Sequence, residues 1–285
     1  MTCQRNALAL LILLAAWMVL PARAVHSAAP DRKAAPDQKA APPGMIFIPA
    51  GEFTMGRDGG PENEAPAHRV ELPAFWIDRN LVTQAQYAEF MNAAGIERGR
   101  PGPRGKHYFD FDDPDARIRF DRGRWRADPG FERNPAAEMN LEGAEAYCRR
   151  AGKRLPSEAE WEKAARGRGG RLYPWGSAPP DRRTVHFAEY HGHTAPVGSL
   201  PGGASPYGAL DMGAFLTEWT RSAYIPYPYR PGPARGDLSA EAARVLRGGV
   251  ALGQRGPRTA THREVMAGRQ RAGHAYVGFR CAKDG

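Results

Sequence analysis

Residues 153–176 read KRLPSEAEWEKAARGRGGRLYPWG. Ser157, with Glu160 three residues on, is a capping box that opens the helix SEAEWEKAARG. Within it Glu158 and Glu162 are like charges one turn apart, whereas Glu162 and Arg166 form a favourable i,i+4 pair. Beyond Gly167 helical periodicity stops and Gly, Pro and aromatic residues take over, which predicts short strands and ordered loops to the C-terminus.

Working towards the N-terminus, Asn140 can cap a second helix, LEGAEAYCRRAG, ended by Gly152. Thr83 and Gln86 form another capping box, opening TQAQYAEFMNAAG. Tyr87, Phe90 and Met91 recur there at three- and four-residue spacing and mark its buried face. Met45–Ile48 reads as a short apolar strand with Gly51–Gly56 continuing it as a hairpin. The alternation of Val70 and Leu72, then Phe75 and Ile77, predicts two more strands. Residues 97–139 are rich in Gly, Pro and charge; inside them IRFDRGRWRAD (118–128) predicts a hairpin turning at Asp121-Arg122-Gly123. The cluster Asp110, Asp112, Asp113 and Asp115 lacks the glycine and terminal glutamate of an EF-hand loop and reads as a solvated acidic turn.

The 285 residues begin with what reads as a signal peptide, residues 1–24. Arg5 is its positive start, ALALLILLAAWMVL its apolar run, and Ala22-Arg23-Ala24 its cleavage site. That run is shorter than the roughly 20 residues of a membrane span, so stable membrane insertion after cleavage is not expected. The alternative is an uncleaved anchor. Residues 25–43 repeat AAPD-x-K and read as a disordered Ala/Pro-rich tether. Residues 44–285 then form one domain. The expected location is extracytoplasmic, periplasmic or secreted. Cleavage takes the formal charge from +9 to +7. The arginines are interleaved with acids, Gly and Pro without a recognisable nucleic-acid motif, so no nucleic-acid partner is expected. After cleavage only Cys148 and Cys281 remain. They are either a disulfide or two inert buried thiols, and an oxidising compartment favours the disulfide.

Six blocks in order carry a family resemblance: IPAGEFTMG with VTQAQYAEFMNAAG, GAEAYCRRAGKRLPSEAEWEKAARG, YPWG, APVGSLPGGASPYGALDM with EWT, RVLRGG, and GFRCA. Together they resemble the formylglycine-generating enzyme family, also called the sulfatase-modifying factor domain. The resemblance implies an α+β, C-type-lectin-like fold with few helices, short strands and much irregular structure. It also implies a disulfide between Cys148 and Cys281.

Catalytic relatives continue RGGSW and then present two cysteines that bind cuprous copper, a soft ion that wants thiolates. Here Val250-Ala251 replace Ser-Trp, and no cysteine lies between Cys148 and Cys281. Copper and family-type oxidation of a substrate cysteine are therefore not expected. Relatives also hold calcium through the glutamate of GN-x-x-EW. This chain reads GAFLTEW, so Glu218 is either a calcium ligand without its Gly-Asn partner or a buried carboxylate bonded to backbone N–H groups. At the family's other calcium site the resemblance places His186, a poor ligand for a hard cation, where relatives have an asparagine.

Other chemistry could use the histidines. His191 and His193, spaced H-x-H, would share one face of a strand and could hold a metal. His262, Glu264, His274 and Tyr276 lie in the segment corresponding to the catalytic one and could perform acid–base work if they meet. The first expectation is an exported accessory or maturation factor, as are some relatives without copper cysteines in siderophore maturation. The alternative is a non-catalytic lectin-like module binding a peptide, glycan or small molecule. A third reading is an active sulfatase-activating oxidase. The iron-dependent sulfoxide synthase branch carries an added helical domain with a histidine-rich motif, which no segment here is long enough to hold.

Overall fold

A computed structural model describes residues 41–98, 108–185, 194–213, 216–230, 242–249, 258–266 and 274–285. Residues 1–40, which hold the expected leader and most of the expected tether, lie outside them. So do His186, His191, His193, Ala214 and Phe215.

The chain enters a three-stranded sheet, ordered β1-β4-β11, that holds both ends of the domain. β1 (Met45–Ile48) pairs antiparallel with β4 (Phe75–Asp78), in register Met45 with Asp78. The last strand, β11 (Ala282–Asp284), zips onto the other edge of β4. β2 (Gly51–Met55) does not continue a hairpin with β1. It pairs instead with β3 (His68–Leu72), from Gly51 opposite Leu72 to Met55 opposite His68. The two hairpins are nested, a non-local choice that the turn residues around Pro49 do not encode.

Three α-helices follow among the described residues, each capped locally. α1 (Gln84–Ala93) has a reciprocal box between Thr83 and Gln86. α2 (Leu141–Arg150) is capped by Asn140, whose side chain accepts from Gly143 N–H at 2.9 Å. α3 (Glu158–Arg166) has its box between Ser157 and Glu160. Between α1 and α2 the hairpin β5 (Ile118–Asp121) and β6 (Arg124–Ala127) turns through Arg122 at φ 48° and Gly123 at φ 78°, the doubly left-handed turn that matches strand twist. A second sheet, ordered β10-β7-β8-β9, comprises β7 (Thr217–Ala223), β8 (Arg244–Gly248), β9 (Arg263–Met266) and the short β10 (Val277–Gly278), which runs parallel to β7. No helix among the described residues is long and apolar enough to cross a membrane.

One core packs the buried face of α1 (Tyr87, Phe90, Met91) against Phe279, Trp219 and the disulfide of Cys148 with Cys281. That disulfide joins α2 to the segment entering β11, and both cysteines are fully buried. A second core surrounds Trp161 with Ile48, Phe53, Met55 and Ile77, fixing α3 across the first two hairpins.

Candidate functional site

The block RVLRGG is built by close approach. Gly248 and Gly249 have φ of 76° and 84°, where side chains are strained. A Cβ on Gly248 would stand 2.8 Å from both Met212 O and the Trp161 ring, and one on Gly249 would stand 2.7 Å from Thr217. β8 therefore lies directly on α3 and β7.

This contact buries three carboxylates, each with an arginine. Glu162 accepts from Arg166 Nη1 at 2.5 Å, from the backbone N–H of Gly56 at 2.8 Å, and from Arg247 Nη2. Glu158 accepts from Arg263 Nε at 2.9 Å and Nη2 at 3.3 Å. The like-charge pair in α3 is thus separated by two arginines, one each from β8 and β9. Arg263 also lies 4.0 Å from the Tyr227 ring centroid and donates to Asn63 O and Ile225 O.

Glu218, on β7, is the third. Both its oxygens accept from Arg280, at 2.7 and 2.8 Å, rather than from backbone N–H groups. Arg280 gives its remaining N–H groups to Asp78 O, Arg79 O and Leu210 O, so every donor of its fork is used. A calcium ion on Glu218 would have to displace a fully buried guanidinium, so this carboxylate does not fit a calcium site. Copper fares no better, since Cys148 and Cys281, the only cysteines after Cys3, are bonded to each other in the core. Among the described residues no three His, Cys, Asp or Glu side chains converge as a metal site.

The structure divides the four residues expected to do acid–base chemistry into two groups. His262 faces away to Glu64, its Nδ1 3.6 Å from Glu64 Oε1. Glu64 also accepts from Thr261 Oγ1 at 2.6 Å and Arg57 Nε at 2.8 Å. Burial alone would raise the Glu64 carboxyl, but His262, Thr261 and Arg57 favour its charged form and hold it at about 2. Glu64 is therefore a fixed anion. Beside it, Glu62, Asn63, Ala65, Tyr224, Pro226 and Tyr227 line a groove of about 550 Å³.

The other three residues fall into two pairs, one of them completed by Arg258. Glu264, on β9, is ion-paired with Arg258, and both side chains remain partly open to solvent. Tyr276 precedes β10, and its ring stands 5.4 Å from that of His274. Burial raises the Tyr276 hydroxyl, Glu264 raises it further, and Arg258 opposes the shift. The Glu264–Arg258 pair thus acts electrostatically on the Tyr276 phenol, which in turn stands beside the His274 imidazole. That set can hold a polar substrate and relay a proton, with Arg258 available to an anion.

Arg258 and Glu64 are missing from the sequence-based set. Arg258 had a visible signal, because it lies in the same segment as His262 and Glu264. Glu64 had none, since it acquires its environment from parts of the chain far away in sequence.

Comparison with known proteins gives a consistent answer. The sulfatase-modifying factor enzyme 1-like domain matches residues 30–285. The serine/threonine-protein kinase Pkn1 of Chlamydia trachomatis is 35% identical over 253 residues, covering 84% of this chain and 38% of that protein. The chain thus spans well under half of this longer relative. The formylglycine-generating enzyme of Streptomyces coelicolor is 33% identical over 291 residues, covering 85% of this chain and 89% of that protein. Among solved structures, PvdO from Pseudomonas aeruginosa superimposes with a TM-score of 0.62 at 25% identity, covering 84% of this chain and 94% of that one. With its few helices and short strands, the α+β fold is the C-type-lectin-like one of these proteins. The chain belongs to the sulfatase-modifying factor, or formylglycine-generating-enzyme-like, family.

Proposed function

We infer that this protein is an exported, copper-independent family member that acts as an accessory or maturation factor through the Arg258–Glu264–Tyr276–His274 group. One observation carries the reading. The only cysteines after the leader form a buried structural disulfide, while the corresponding catalytic segment carries a partly open ionic cluster instead of thiolates. Oxidation of a substrate cysteine on paired copper thiolates has no ligands here. The leader-like residues 1–24 support a periplasmic or secreted location.

In this reading Arg258 fixes a carboxylate or phosphate of the substrate, Glu264 exchanges a proton with it, and Tyr276 and His274 orient it. The test is deletion in the native host with mass spectrometry of exported peptides and metabolites. Complementation with the wild type should restore the missing product, whereas Glu264→Gln or Tyr276→Phe should leave an unprocessed precursor. Full restoration by both variants would overturn the catalytic reading.

The groove floored by Tyr224, Pro226 and Tyr227 favours a second reading, a binding module for a peptide, glycan or small molecule. Under it the same variants restore the product, and substitution of Tyr224 does not.

A further inference from the structure

Glu138 immediately precedes the strand-like contact that leads into α2, and it is held in an unusual place. Its backbone is left-handed, at φ 66°, and its residue is only 1% exposed. Its N–H donates to His274 O at 3.3 Å, and its C=O accepts from Asp110 N–H at 2.8 Å. Phe109 bridges antiparallel to Met139, so the turn at Asp110–Asp115 lies alongside. Among the described residues neither oxygen of the Glu138 carboxylate has a hydrogen-bond partner.

A buried carboxylate without donors is costly unless a positive charge joins it or a proton neutralises it. Besides burial, the charges that bear on it most among the described residues are those of Asp113, Asp110 and Asp115. Among the described residues, three nearby arginines make their contacts with other groups. Arg98 pairs with Asp112 at 3.7 Å, Arg119 pairs with Asp128 at 3.5 Å, and Arg117 lies over the Phe131 ring. The turn organises itself, with Asp113 Oδ1 accepting from Asp115 N–H at 2.7 Å. It lacked a glutamate as a sequence motif, and the fold supplies one from residue 138.

We propose that Glu138 and the Asp110–Asp115 turn bind one hard divalent cation, calcium by preference, at a site separate from Glu218. No three acids converge on one point among the described residues. The ion therefore takes Glu138 and one aspartate of the turn, completing its shell of about six to eight oxygens with carbonyls and water. The remaining aspartates contribute charge. Through the bond from Glu138 N–H to His274 O, the ion also steadies the segment that carries His274 and Tyr276.

The experiment is calorimetric titration of the chelator-stripped full chain with calcium chloride, followed by terbium luminescence. Trp125 lies 5.9 Å from Phe109 and 6.2 Å from Phe111, ring centre to ring centre, beside the turn. Excitation of Trp125 should therefore sensitise a bound terbium ion. The expected result is one calcium per chain with Kd on the order of 10⁻⁴ M, in the range of extracellular modules. Glu138→Gln should weaken it about tenfold or more, Asp113→Asn should weaken it measurably, and Trp125→Phe should lose the sensitised emission while still binding calcium. No saturable binding by the wild type, or equal binding by a folded Glu138→Gln variant, overturns the proposal. Asp113→Asn, on the partly exposed turn, keeps the test decisive if Glu138→Gln does not fold.

Discussion

Glu162 and Glu138 are both removed from solvent and could hardly be treated more differently. Glu162 lies in α3 with Arg166 one turn on, Arg247 reaching in from β8 and the Gly56 N–H above it. Glu138 lies ahead of α2 with no donor among the described residues and three aspartates nearby. The first arrangement is complete within the chain. The second is complete only with something added, a proton or a cation. The difference separates what this domain uses to stay folded from what it holds available for a ligand.

The largest effect that would sharpen this contrast comes from breaking the complete network. Glu162→Gln leaves Arg247 buried without its anion, and should cost about 3–5 kcal/mol in urea unfolding. A loss near zero would mean that the arginines find other partners. Next, Cys148→Ala with Cys281→Ala opens a link spanning 133 residues, and should cost about 2–4 kcal/mol in non-reducing buffer.

The two kinds of carboxylate should also titrate in opposite senses. Glu64, paired, is held at about 2, below its ordinary 4.5. Its stabilisation is present above pH 4.5 and is lost as pH falls towards 2. Glu138, unpaired, is pushed up to about 8 by burial and then by Asp113, Asp110 and Asp115. Its contribution is present below pH 4.5 and is lost as pH rises through 8. In chelator, wild-type urea midpoints should therefore fall between pH 5 and pH 8, and Glu138→Gln should flatten that decline. A wild-type midpoint independent of pH over this interval would break the comparison. The smallest effect belongs to Asp112→Asn. The exposed pair with Arg98 is worth less than about 1 kcal/mol, so the unfolding midpoint should hardly move.

Much of the fold was legible in the sequence because its signals are local. Thr83, Asn140 and Ser157 cap the helices they were expected to cap, and Arg122-Gly123 turn their hairpin. The partner of β2 was not legible, since choosing β3 over β1 depends on packing against α3. Nor could spacing show that Arg247 and Arg263 separate Glu158 from Glu162, because they lie roughly a hundred residues away. In the candidate site, Glu264, His274 and Tyr276 could be grouped from sequence because they share a short segment. His262 belongs to the same stretch, but the chain direction entering β9 turns it to Glu64. Glu138 carries no sequence signal at all: a glutamate between Ala137 and Met139 becomes exceptional only through the backbone that buries it.

The most direct measurement of the central claim is incubation of the oxidised protein with a Cys-x-Pro-x-Arg peptide, copper and oxygen, read by mass spectrometry. A family scaffold whose two cysteines within the domain, Cys148 and Cys281, are locked in its core should leave the peptide cysteine unchanged, with or without copper. Appearance of the aldehyde mass, dependent on copper, would contradict the account.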